Sequence, residues 1–181
     1  MRIFISGGCK NGKSTLAQRL AKQQQNGALY YVATMASTGH EDDERITRQI
    51  EERAGWGFTT IEQPRNIGGL LEKCDAAGSF LLDSLTALLA NEMFGIDGSF
   101  DEGALVRVSA ELSDVLGRTQ SIVVVSDYIY SDAAEYDPFT EAYRKSLAAL
   151  DRQAAAACDV VLEAAYTNII VHKGEAPHEA Y

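Results

Sequence analysis

The sequence is poor in the residues that build disulfide frameworks and clustered metal sites. Only three cysteines and three histidines occur among 181 residues. Cys9, Cys74 and Cys158 are scattered, without a C-x-x-C pair or a neighbouring pair of histidines. These spacings disfavour a disulfide-stapled secreted domain and a structural zinc site. We therefore expect the cysteines to be reduced and to have structural roles.

Positive charge and long apolar runs are also scarce. Sixteen Lys and Arg residues against 26 Asp and Glu give a formal net charge of -10, which disfavours a protein whose main partner is a nucleic-acid backbone. No stretch approaches the roughly 20 apolar residues of a membrane span, and no charged leader precedes the first apolar run. From these two features we expect a cytoplasmic protein. Because 46% of the residues are hydrophobic, we expect one compact domain over residues 1–181.

One motif dominates what is present. Residues 7–14 read G-x-x-x-x-G-K-S, directly after the apolar run 2–6 and directly before a helical pattern of leucine and alanine. A phosphate-binding loop works in this context, because backbone amides and a helix N-terminus then face phosphate oxygens. Lys13 supplies a point charge for the β- and γ-phosphates, and Ser14 a hydroxyl for Mg²⁺. The predicted nucleotide-binding residues are Gly7, Gly8, Cys9, Lys10, Asn11, Gly12, Lys13, Ser14 and Thr15.

A later apolar strand ends in a carboxylate. Residues 80–83 read Phe-Leu-Leu-Asp, the pattern that supports Mg²⁺ in phosphate-loop proteins, directly or through water. A buried strand with a carboxylate at its solvent end looks the same in many other proteins. Given the upstream loop, we predict that Asp83 and Ser14 hold Mg²⁺ and that Lys13 and Asp83 are catalytic. Ser84 and Thr86 follow near a predicted helix N-terminus, where they could act as caps.

Apolar runs alternate with helical patterns from end to end, which predicts an α/β fold with a mostly parallel sheet and helices on both faces. Strands are predicted at 3–6, 28–33, 80–83, 122–126 and 160–163, with an edge strand at 168–172 and a short extra strand at 58–61. Helices are predicted at 14–25, 42–53, 85–94, 102–116 and 139–157. Ligands bind at the carboxyl ends of such strands, so the loops after Ser6, Ala33, Asp83 and Ser126 should surround the substrates.

These motifs together resemble the adenosylcobinamide kinase/adenosylcobinamide-phosphate guanylyltransferase family of cobalamin biosynthesis. The resemblance is carried by ISGGCKNGKS at 5–14, YVAT at 31–34, DDE at 42–44, TTIE at 59–62 and LLDSLT at 81–86 with Asn91; AAACDV at 155–160 is similar to the family's last junction of helix and strand. It implies a RecA-like P-loop NTPase fold assembled as a homotrimer. It also implies two activities: phosphorylation of the aminopropanol hydroxyl of adenosylcobinamide with ATP or GTP, and transfer of GMP from GTP to that phosphate.

The chain departs from the family at the residue that carries GMP. Bifunctional members have a histidine there, on the helix after the acidic patch, whereas Glu52 stands at that position in this sequence. A glutamate would form a mixed acyl-phosphate anhydride in place of a stable phosphoramidate, so the kinase step is the safer prediction. His40 is the histidine nearest to that segment, and His172 and His178 lie in the tail.

Two further departures from the family concern the half of the site that would bind the phosphoryl acceptor. Residues 125–130 read Val-Ser-Asp-Tyr-Ile-Tyr where the family usually has an Asn-Glu-Val-Gly type of loop. Asp151-Arg152 replaces an Asn-Gln pair of the family, although Arg144 matches a family arginine.

The residues leave several roles open. The general base is Asp83 or one of Asp42, Asp43 and Asp127, and Arg48 or Arg144 could either stabilise the transition state or form an interface salt bridge. Two rival functions also stay open: a kinase of another small alcohol, and a non-catalytic, nucleotide-dependent regulatory or assembly ATPase.

Overall fold

The strands form one twisted sheet in a computed structural model that describes residues 1–36, 47, 54–166 and 168–177. Its seven strands have the order β3-β2-β4-β5-β1-β6-β7. In chain order they are β1 (Arg2–Gly7), β2 (Leu29–Ala33), β3 (Thr59–Glu62), β4 (Ser79–Asp83), β5 (Ser121–Val125), β6 (Val160–Ala165) and β7 (Asn168–Lys173). All pairings are parallel except that of β7 with β6. β5 lies between β1 and β4, and the three strands are parallel. The phosphate loop after β1 and Asp83 at the end of β4 therefore lie at the same edge of the sheet, where the carboxyl ends of the strands meet.

Helices cover both faces of this sheet. They are α1 (Lys13–Gln23), α2 (Leu70–Lys73), α3 (Leu85–Met93), α4 (Ala104–Arg118) and α5 (Pro138–Ala157), with a 3₁₀ turn at Ile67–Gly69. Alternate residues of β1 point to opposite faces: Ile3 and Ile5 pack with Leu16 and Leu20 of α1, whereas Phe4 joins the larger core built with α3, α4 and α5. None of the helices in the described ranges is both long and apolar enough to cross a membrane.

The predicted elements are confirmed to within about two residues at most ends, which is the usual uncertainty of helix and strand boundaries. The extra strand and the antiparallel edge strand are both present. Sequence reasoning missed α2 and the 3₁₀ turn, because elements of three or four residues are too short to develop a periodic pattern. The predicted helix 42–53 lies outside the described residues, apart from the helical Thr47.

Candidate functional site

The phosphate loop leaves β1 and is held from one side by β6. Gly7 pairs with Ala164 in the sheet, and a Cβ on Gly7 would collide with the Ala164 carbonyl oxygen and the Asn11 amide. The side-chain amide of Asn11 donates a hydrogen bond to that same carbonyl. Gly12 has a φ of 85° immediately before α1, a conformation that glycine adopts at little cost. The predicted loop residues are therefore brought together around the start of α1.

Lys13 is buried within this loop, although it carries a charge. Its side chain is 6% exposed, and its Nζ donates to the Gly8 carbonyl oxygen at 2.5 Å and to Asn11 Oδ1 at 3.2 Å. Its third polar contact is an ion pair with Asp127 Oδ1 at 2.9 Å. Buried cations need such partners, so Asp127, two residues after β5, is an integral part of the site.

Asp83 ends β4 next to the start of α1. Tyr31 Oη donates a hydrogen bond of 2.7 Å to Asp83 Oδ2. Burial raises the pKa of the Asp83 carboxyl above its ordinary value, while hydrogen bonds from Tyr31 and Ser14 oppose that rise. Sequence reasoning did not identify Tyr31 as a site residue. The register of β2 against β4 explains its contact with Asp83, because it places Tyr31 opposite Leu81 and so on the same face of the sheet as Asp83.

Ser14 and Asp83 fit a Mg²⁺ ion. The Ser14 hydroxyl lies close enough to the Asp83 carboxylate to lower the pKa of that carboxyl, so two hard oxygen donors lie near each other as this ion prefers. In the described part of the chain, no group of three or more His, Cys, Asp and Glu side chains could hold a metal. An ion held between these two donors would therefore take its remaining ligands from water and phosphate oxygens.

A buried threonine joins the loop after β2 to the end of β4. Thr34 Oγ1 donates to the Ser84 carbonyl oxygen at 2.8 Å and accepts from the Ser84 backbone N–H at 2.6 Å. Asn91 donates its amide to the Thr34 carbonyl oxygen at 2.7 Å. Ser84 also caps α3 by accepting from the Ala87 N–H. These polar residues of the family resemblance therefore have positioning roles.

The segment after β5 is fixed at both of its ends. Beside the phosphate loop, the Asp127 N–H donates to Thr86 Oγ1 at 2.8 Å and the Tyr128 N–H donates to the Gly7 carbonyl oxygen at 2.9 Å. At the other end, Arg144 donates to the Ile129 carbonyl oxygen at 3.1 Å. Further contacts of Arg144 are with Asp132, Glu141 and the Tyr136 ring. Arg144 thus holds residues 129–136 in place, and these contacts disfavour a role for it at the phosphates of the nucleotide.

A second buried acid lies beneath this segment. Asp151 is 3% exposed and accepts a hydrogen bond of 2.9 Å from Tyr130 Oη. Burial raises the pKa of Asp151 to about 6, with nearby Ser126 and Tyr130 hydroxyls partly offsetting the rise and the charge of Asp127 adding to it. The sequence gives no sign of this burial beyond the position of Asp151 on α5.

Several predicted residues lie elsewhere. His172, for which the sequence predicts no catalytic role, is exposed, and its Nε2 lies 2.7 Å from Glu163 Oε2. Cys9, Cys74 and Cys158 are free. The predicted acids Asp42 and Asp43, together with Arg48, Glu52, His40 and His178, lie outside the described residues.

The parallel sheet, the phosphate loop at the start of α1 and the aspartate at the end of β4 define a RecA-like P-loop NTPase. The chain belongs to the cobinamide kinase / cobinamide phosphate guanyltransferase family, whose model matches residues 3–166. A curated relative is the bifunctional adenosylcobalamin biosynthesis protein CobP of Pseudomonas aeruginosa, 33% identical over 129 residues that cover 70% of this chain and 71% of the relative. The family resemblance drawn from the motifs is confirmed.

One solved structure supports the fold. A protein from Pyrococcus horikoshii superposes with a TM-score of 0.54 at 12% identity, over 97% of this chain and 87% of that one. The flagellar accessory protein FlaH from Methanocaldococcus jannaschii has a TM-score of 0.48 at 15% identity, over 96% and 78% of the two chains.

Proposed function

We propose that this protein phosphorylates the aminopropanol hydroxyl of adenosylcobinamide, with ATP or GTP as donor and Mg²⁺ as cofactor. The observation that carries the proposal is the buried Lys13, directed into a phosphate loop and paired with Asp127 at 2.9 Å. Family membership over residues 3–166 supplies the acceptor. Mg²⁺ bound by Ser14 and Asp83 would neutralise phosphate charge.

In this mechanism the chain's own residues place and polarise the reactants. The acceptor hydroxyl oxygen attacks the γ-phosphorus in line, the bond to the β,γ-bridging oxygen breaks, and the nucleoside diphosphate leaves. When the nucleotide binds, the Lys13 ammonium group leaves its ion pair with Asp127 and contacts phosphate oxygens instead. This exchange frees the Asp127 carboxylate to take the hydroxyl proton, whereas Asp83 is engaged by Tyr31 and Ser14. Asp127 is therefore our choice among the candidate bases.

The direct test is product formation with a panel of acceptors. The protein is incubated with Mg-ATP or Mg-GTP and adenosylcobinamide, nucleosides or sugar alcohols, and products are identified by mass spectrometry. Phosphorylated adenosylcobinamide is the expected product. A product only from another alcohol would replace the substrate assignment, and slow hydrolysis with a large nucleotide-dependent change in self-association would favour the regulatory ATPase.

Guanylyl transfer is the second candidate, because the family and its bifunctional relative combine both steps in name. Glu52 at the family's histidine position argues against the usual intermediate. Incubation with α-labelled GTP distinguishes the cases: an acid-labile, alkali-stable adduct on His40 would restore the second activity. We further propose a cytoplasmic homotrimer, which light scattering of the purified protein tests for its oligomeric part.

A further inference from the structure

An aromatic surface lies beside the segment that carries Asp127. We call Phe94, Phe100, Phe139 and Tyr143 the aromatic rim. Its ring centroids are 5.4 Å apart for Phe94 and Phe100, 4.8 Å for Phe100 and Phe139, and 5.9 Å for Phe94 and Tyr143. Phe94 and Phe139 are nevertheless 38% and 55% exposed. The rim is thus a continuous, partly uncovered layer of rings between the end of α3 and the start of α5.

Apolar exposure is concentrated in this region. Of the nine exposed large hydrophobic residues in the described part of the chain, five lie in segments 94–96 and 128–139. They are Phe94, Ile96, Tyr128, Tyr136 and Phe139. Single exposed apolar residues are ordinary, but neighbouring exposed aromatics commonly mark a binding surface.

The rim is connected to the phosphate site by hydrogen bonds. Tyr143 Oη donates to the Thr86 carbonyl oxygen at 2.9 Å. Thr86 Oγ1 in turn accepts from the Asp127 N–H at 2.8 Å, and Asp127 pairs with Lys13 at 2.9 Å. The rim therefore lies on the acceptor side of the site, and β6 holds the phosphate loop from the other side.

The charge around the rim narrows the class of ligand. On the α5 side of the rim, residues 131–143 contain Asp132, Glu135, Asp137 and Glu141 and no lysine or arginine. On the α3 side, Arg65 donates to the Phe94 carbonyl oxygen at 3.0 Å, and the segment between Phe94 and Phe100 carries Asp97. Arg144, which follows, is 7% exposed and already paired with Asp132 and Glu141. Aromatic faces next to carboxylates attract a large, flat cation and repel anionic lipids or nucleic acid. An alkylcobalt(III) corrinoid is such a cation, because the macrocycle and the alkyl ligand offset only two of the three positive charges of the metal.

We propose that the aromatic rim holds the corrin macrocycle of the acceptor while its aminopropanol arm reaches toward Asp127. This inference rests on the proposed kinase function and assigns its acceptor site. The reacting hydroxyl is carried on a flexible arm, so the macrocycle can rest on Phe139 and Phe94 some distance from Lys13. A second copy of this chain is the competing occupant of the rim, and the experiment below separates the two.

The experiment compares Phe139→Ala with Ile170→Ala, which removes another exposed apolar residue, 46% exposed against 55% for Phe139, from β7. We expect Phe139→Ala to raise KM for adenosylcobinamide about tenfold, the loss typical of one well-packed aromatic contact, with kcat and the KM of the nucleotide unchanged. Ile170→Ala should leave all three unchanged. With an N-acyl-aminopropanol that has the arm but no macrocycle, kcat/KM should be the same for wild type and Phe139→Ala.

Other outcomes overturn the inference. An unchanged KM for adenosylcobinamide with a shift of oligomeric state in light scattering would make the rim a contact between copies. A loss that also appears with the small alcohol would make Phe139 a structural residue. If wild type forms no phosphorylated corrinoid, the kinase proposal fails by itself. Equilibrium dialysis followed by corrin absorbance then still tests the rim, since binding that Phe139→Ala does not weaken would exclude it.

Discussion

The two sides of the site are built in different ways. On the side that binds the phosphates, residues 7–15 are contiguous in the sequence. Their function depends on backbone conformations that glycine adopts and on the N-terminus of α1. The acceptor side is assembled from distant residues, since Asp127, Thr86 and Tyr143 meet only through β5, α3 and α5. Nucleotide binding can therefore be predicted from the spacing of residues in the sequence, whereas the chemistry at the acceptor depends on tertiary contacts. Changes on the two sides should therefore separate nucleotide affinity from phosphoryl transfer.

The largest effect is expected from Lys13→Ala on the phosphate side. Removing the point charge should lower kcat/KM by about 10³-fold or more, because phosphoryl transfer relies on charge stabilisation. Nucleotide affinity measured by calorimetry should fall as well. Lys22→Ala, which removes an exposed lysine of α1, is the matched control. Wild-type turnover in Lys13→Ala, at unchanged thermal stability, would refute the role of the loop in catalysis.

Asp127→Asn should separate the two sides. We expect kcat to fall by about 10²-fold to 10⁴-fold, the usual contribution of a general base. The Kd of Mg-nucleotide should stay equal or become tighter, since the carboxylate that competes for Lys13 is gone. Asp114→Asn, at an exposed acid of α4 that pairs with Arg118, serves as control. Tighter nucleotide binding with full kcat would mean that Asp127 only occupies Lys13 in the absence of nucleotide.

Asp151→Asn tests the buried acid by its effect on stability. Burial raises the pKa of Asp151 from 3.8 to about 6, so the folded state keeps a proton that the unfolded chain releases. The free energy of unfolding of wild type should therefore fall relative to the variant as pH rises from about 4 to 6, by roughly 3 kcal/mol in total. Urea unfolding across this range measures the difference. Parallel pH profiles for the two proteins would contradict the assignment.

The smallest effect is expected from Tyr31→Phe. One hydrogen bond to Asp83 is lost while that from Ser14 stays, which should lower kcat/KM by about tenfold or less. Tyr30→Phe is a close control, because its hydroxyl accepts from the Asp75 N–H instead. Equal rates for Tyr31→Phe and wild type would leave Tyr31 without a positioning role.

The sequence predicts local features better than it predicts partners. Asp83 is recognisable because an apolar strand ends in a carboxylate, and the phosphate loop because its spacing is complete. The ion pair between Lys13 and Asp127 joins residues 114 positions apart, and it exists only because β5 lies next to β1. Arg144 shows the same limit: its position on α5 is predictable, but its contacts with residues 129–136 depend on how the loop folds back. Lys13 and Asp83 as catalytic residues, Ser14 and Asp83 as metal ligands, and the single domain stay predictions.

The contact of Asn11 with the Ala164 carbonyl oxygen has a consequence for truncation and synthesis. A fragment that stops before residue 160 would retain the whole G-x-x-x-x-G-K-S motif yet lack the neighbouring strand against which Gly7 is aligned. During translation, nucleotide competence should therefore appear only after β6 has left the ribosome and joined the sheet, although the motif itself is among the first residues made.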